Sequence, residues 1–84
     1  MKETSGKSIL DVNIKNYGRI EIQLKAVMEK AGITRNRLCV LTDIKFGTVQ
    51  KYYLGEVSRI DVDVLAKFCY ALDCDVQDIV KYKQ

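Results

Sequence analysis

The residues of this 84-residue chain with the clearest chemical potential are five cations between positions 34 and 59: Arg35, Arg37, Lys45, Lys51 and Arg59. Only Asp43 and Glu56 oppose them there, so five charges against two leave +3. Residues 1–33 carry six cations against four anions, net +2, and residues 60–84 carry three against five, net −2. Interleaved with the central cations are Phe46, Gly47, Thr48, Tyr53 and Ser58. Cations and hydroxyls of this kind bind phosphate oxygens, and a lysine beside an apolar ring or methyl suits the edges of bases. The chemistry is non-covalent recognition of a polyanion by a basic middle attached to an acidic C-terminal part.

Covalent and metal chemistry find little support. The chain has no histidine, which removes a Ser-His-Asp triad, a Cys-His pair and any histidine-bearing zinc site. Its three cysteines, Cys39, Cys69 and Cys74, show no metal or disulfide spacing. They read as small apolar core residues of a protein in a reducing cytoplasm. Asp61/Asp63 and Asp73/Asp75 are paired carboxylates, yet each suits helix capping better than acid–base work. The expectation is therefore a non-enzyme with no cofactor and no metal. No long apolar run and no basic-then-apolar start occurs, so neither a membrane span nor a secretory signal is expected. Apolar residues at 48% and charged residues at 30% fit one small globular domain.

The elements that must hold the cations follow from spacing. One pattern recurs: an apolar residue, then a candidate N-cap, then an apolar residue five positions after the first. Ile33 with Leu38, Ile44 with Val49, Ile60 with Leu65 and Cys74 with Ile79 all show it. This is the spacing of a hydrophobic staple, and it predicts helix starts after Thr34, Lys45, Asp61 and Asp75. Leu24, Val27, Met28 and Ala31 form an earlier amphipathic stripe that ends at Gly32. Five helices result: about 24–31, 35–41, 46–53, 62–72 and 76–81. The second and third, joined by about three residues, form a helix-turn-helix over about 34–55. Upstream, Leu10, Val12 and Ile14 alternate with polar residues, Asn16-Tyr17-Gly18 signals a turn, and Ile20, Ile22 and Leu24 alternate again. That stretch reads either as a β-hairpin or as a first helix beginning near Arg19.

The helix starts separate packing from function. Helix N-termini carry partial positive charge and favour acids. The fourth and fifth helices open with Asp61/Asp63 and Asp75/Asp78; the second and third open with Arg35/Arg37 and Lys45. Lys45 cannot act as a side-chain cap, and Gly47 weakens its helix by roughly 1 kcal/mol relative to alanine. A phosphate backbone explains both departures, since basic side chains and helix amides then meet one anion. Ordinary solvated charges are the alternative. On the third helix Val49 and Tyr52 face inward; Lys45, Phe46, Gly47, Thr48 and Lys51 face outward, with Gln50 and Tyr53 flanking. Lys51 could meet guanine, and Phe46 or the Thr48 methyl could pack on thymine. Phe46 could instead pack on a neighbouring helix. Ser58 and Arg59, with the Tyr53 hydroxyl, could hold phosphate.

Three stretches carry a family resemblance: Leu24-Lys-Ala-Val-Met-Glu-Lys-Ala-Gly-Ile-Thr34, Arg37-Leu-Cys-Val-Leu-Thr-Asp-Ile44, and Arg59-Ile-Asp-Val-Asp-Val-Leu-Ala-Lys-Phe-Cys-Tyr-Ala-Leu-Asp-Cys74. Residues from about 20 to 82 resemble the phage-repressor and Cro-like helix-turn-helix family, also called the xenobiotic-response-element family, in its short bacterial branch. The resemblance implies a mostly α, five-helix, lambda-repressor-like domain over 19–84, preceded by an extension over 1–18. It also implies sequence-specific binding of double-stranded DNA by a transcriptional regulator, a repressor, acting as a homodimer on DNA. Base contacts would fall on Lys45, Phe46, Gly47 and Lys51; phosphate contacts would fall on Arg35 and residues 58–59, with Thr48 nearby. The chain differs in Asp43, where glycine is usual, in Lys45, where a hydroxyl cap is usual, and in Leu54, where asparagine is common. The competing function is a protein-interaction module, such as an antitoxin or adaptor, built on the same fold.

Overall fold

The computed structural model describes residues 17–84. Along the chain lie β1 (Arg19–Ile22), α1 (Leu24–Ala31), α2 (Arg35–Thr42), α3 (Phe46–Leu54), α4 (Val62–Leu72), α5 (Val76–Ile79) and β2 (Val80–Lys83). The five expected helices form, with a short antiparallel sheet beside them.

The residues of all four staple patterns join the core. Leu38, Val49, Leu65 and Ile79 are buried, and Ile33, Ile44, Ile60 and Cys74 pack against them. Leu24 and Met28 of α1 and Phe68 and Leu72 of α4 complete one core. Each such side chain contributes about 1.5–3 kcal/mol on burial. The ends are fixed locally. The Thr34 hydroxyl accepts from the Arg37 N–H at 3.1 Å. The Asp61 carboxylate accepts from the Asp63 and Val64 N–H groups at 2.9 and 3.2 Å. Asp78 accepts from the Asp75 N–H at 2.9 Å. The paired carboxylates thus serve helix ends: Asp61 and Asp75 stand at N-caps and Asp73 in the left-handed C-cap position of α4.

The two ends of the described chain differ from the sequence reading. The stretch from Arg19 is a strand, not the start of a helix, and its partner is the C-terminal segment. Ile20 lies opposite Tyr82, and Ile22 opposite Val80. The other proposed hairpin strand, around 10–14, lies outside the described residues. Helix α5 stops at Ile79, two residues earlier than the expected 81, because Val80 turns extended (φ −115°, ψ 122°). One helical turn is weakly self-supporting, whereas β-branched Val80 and aromatic Tyr82 favour a strand once β1 supplies a ladder. The Gln23 N–H, donating to the Ile79 carbonyl at 2.6 Å, locks the sheet to α5. At Gly18 (φ 84°) any Cβ would collide with the Lys83 carbonyl oxygen, so only glycine lets the chain enter β1 there.

Candidate nucleic-acid interface

Helix α3 is presented by its buried face. Val49 is fully buried and Tyr52 nearly so, so helical spacing turns Gly47, Lys51 and Leu54 outward. Tyr52 anchors the helix twice. Its ring meets Phe68 edge-on at 5.2 Å between centroids, and its hydroxyl accepts from the Asp61 N–H at 3.0 Å. The second contact ties the connector after α3 to α3 itself.

The start of α3 is as unusual as its sequence suggests. Lys45 occupies the N-cap with extended backbone (φ −65°, ψ 147°) and no side-chain cap, and no acid stands in the first turn of α2 or α3. Phe46 is 46% exposed, so neighbouring helices leave much of its ring uncovered. A Cβ built at Gly47 would meet nothing within 4 Å. The fold therefore gives no internal reason for glycine at that position. The turn before α3 is made by Asp43 in the left-handed region (φ 56°), the position where the resembling family uses glycine.

Four cations fall into two pairs on either side of α3. A depression of about 390 Å3 is lined by Thr48 and Lys51 of α3 and by Ser58 and Arg59 of the connector, with Glu56 and Asp61 also on its walls. On the other flank the Arg35 guanidinium lies 4.3 Å from the Tyr53 ring centroid and donates to the Gln50 side-chain oxygen at 2.7 Å. Lys25 Nζ lies 5.8 Å from the same ring. Tyr53, expected beside Ser58 and Arg59, does not line their depression; its ring carries Arg35. Arg37 and Lys45 are exposed and stand at the starts of α2 and α3. Among the described residues, none of Arg37, Lys45, Lys51 and Arg59 enters a salt bridge.

Of this surface, Lys25 was missed in the sequence, and Gln50 was placed only as flanking the outer face of α3. Lys25 was legible: it opens α1 as Arg35 opens α2, with no acid in that first turn. The bond of Gln50 was not, because its partner lies fifteen residues away and only the packing of α2 on α3 joins them. Among the described residues no cluster of three or more histidine, cysteine, aspartate or glutamate side chains could hold a metal, and no helix is long and apolar enough to cross a membrane.

Comparison with known proteins bears on the fold and the family. A crystal structure of a candidate DNA-binding protein from Bacteroides fragilis superposes with a TM-score of 0.67, covering 75% of this chain and 100% of that one at 17% identity, a likeness of fold. No curated protein matches the chain. The model of the Cro/C1-type HTH DNA-binding domain matches residues 23–84, from the residue before α1 to the end of the chain. With α2 and α3 forming its helix-turn-helix, this chain belongs to the Cro/C1-type HTH DNA-binding domain family.

Proposed function

We propose that the protein is a sequence-specific transcriptional regulator, a repressor, which binds double-stranded DNA with α3 in the major groove. The observation that carries this reading is the outer face of α3: a basic start with no acid in its first turn, and a glycine that the fold itself does not require. Lys45, Phe46, Gly47 and Lys51 would meet bases. Arg35, Arg37, Thr48, Ser58 and Arg59 would hold phosphates and fix the register, with Tyr53 acting through Arg35. Occupying a promoter half-site would exclude polymerase, which is the simplest route to repression.

One nine-residue reading helix covers only a half-site, so the protein would act as a homodimer on DNA. Among the described residues one edge of β1 is taken by β2 and the other is unpaired, which makes that other edge a candidate dimer element. Three free cysteines fit a cytoplasmic setting. The decisive measurement is the affinity for duplex DNA as a function of salt. Affinity should fall steeply as salt rises, with a slope of about −0.9 per phosphate contacted. Absence of binding to any duplex at low salt sinks the reading.

The second reading is an adaptor or antitoxin. It draws on a shallow depression lined by Leu41 of α2 and by Ala66 and Tyr70 of α4, of which Tyr70 is 92% exposed. A stoichiometric protein complex, together with no duplex binding, would favour it.

A further inference from the structure

The Arg35–Gln50 bond constrains what α3 can read, and its consequence rests on the proposal that α3 lies in the major groove. A guanidinium has only donors, so the Gln50 amide must turn its oxygen toward Arg35, as the 2.7 Å bond shows. The arrangement is braced by Tyr53: the Arg35 guanidinium carbon lies over its ring, 4.3 Å from the centroid, and both Arg35 and Gln50 are half-buried. Gln50 follows Phe46 by four residues and Gly47 by three, so it shares their side of α3.

A free glutamine reads adenine with both ends of its amide, accepting from the base's amino group and donating to its ring nitrogen. In this protein the accepting end is already held by a cation. An adenine amino group approaching it would face the guanidinium's own N–H groups, donor against donor. With one of the oxygen's two lone pairs engaged and the other beside the cation, what the pair would offer a base is chiefly the Gln50 NH2 and the remaining N–H groups of Arg35, which are donors. Guanine presents two acceptors on its major-groove edge and no donor there.

We propose that Arg35 and Gln50 form one composite donor unit, in which Arg35 is a positioning residue that makes Gln50 select guanine over adenine at the base pair it faces. Arg35 then does more than contact phosphate: its loss changes which base is preferred, not only how tightly DNA binds.

The test is selection of bound sequences from a random duplex pool by the wild type, Arg35→Ala and Gln50→Glu, with folding of each variant checked by thermal melting. The wild type should select guanine at one position of each half-site, preferred over adenine by about ten- to a hundredfold. Arg35→Ala frees the amide oxygen, so that position should turn toward adenine while the other positions persist. Gln50→Glu remains paired to Arg35 but exposes an acceptor, so the same position should turn toward cytosine, and this variant decides the matter should Arg35→Ala not fold. If the variants select the wild-type sequence at every position, the composite unit is wrong while DNA binding stands. If the wild type enriches no duplex at all, the DNA-binding reading fails and the composite unit with it.

Discussion

The phenolic oxygen of Tyr52 accepts a hydrogen bond from the backbone N–H of Asp61 at 3.0 Å, which couples α3 to the start of α4 across the connector that bears Ser58 and Arg59. Tyr52→Phe removes this bond and keeps the ring against Phe68. Stability should fall by about 0.5–1.5 kcal/mol, read from urea denaturation. DNA affinity should fall modestly as the connector loosens. An unchanged urea midpoint would show that the bond does not contribute.

Gly47 separates stability from binding. A methyl group there enters open space, so Gly47→Ala should stabilise the protein by about 0.4–1 kcal/mol through the unfolded chain and helix propensity. If the glycine lets the backbone approach DNA, the same variant should bind more weakly. Higher melting temperature with lower affinity is the expected pair of results; unchanged affinity would remove Gly47 from the interface.

Asp43 holds a left-handed conformation at φ 56° with a side chain attached. Asp43→Gly relieves that conformation and should stabilise the fold by about 1 kcal/mol, with the turn geometry kept. Destabilisation would mean that the carboxylate supplies something the backbone conformation does not reveal.

Lys51 and Arg59 line the same depression but should fail differently. Arg59→Ala should weaken binding to all sequences alike and reduce the salt slope by about 1. Lys51→Ala should cost about 1–3 kcal/mol on the preferred sequence and relax preference at one base pair. Identical profiles for the two variants would contradict the division between phosphate and base contact.

Cys74 carries a pH signature. Burial, then the nearby Cys69 and Asp78, push its thiol from 9.0 up to about 11. The folded protein thus holds the neutral thiol more firmly than the unfolded chain does. That stability is fully present below pH 9.0 and is lost as pH rises toward about 11. Urea midpoints at about pH 8 and about pH 10.5 should differ more in the wild type than in Cys74→Ala. Equal differences would mean that other groups account for the alkaline loss. Alkylation of Cys74 near neutral pH should be slow.

The five helices were legible in the sequence because their signals are local. A staple, a cap and a left-handed glycine act within six residues, so Ile33/Leu38, Thr34 and Gly32 mark their helix ends without reference to the rest of the chain. The basic outer face of α3 was legible for the same reason: once Val49 and Tyr52 face inward, helical period assigns the remaining positions. Tertiary structure decided what depends on partners distant in sequence. Val80 left its helix because β1, some sixty residues earlier, offered a ladder. Tyr53 became a platform for Arg35, and Gln50 its hydrogen-bond acceptor, because α2 packs on α3. Spacing along one element places a side chain on a face, but its orientation within that face is set by whichever donors and rings neighbouring elements bring to it. For this protein the sequence determined which residues share the outer face of α3, and packing determined how those side chains are held.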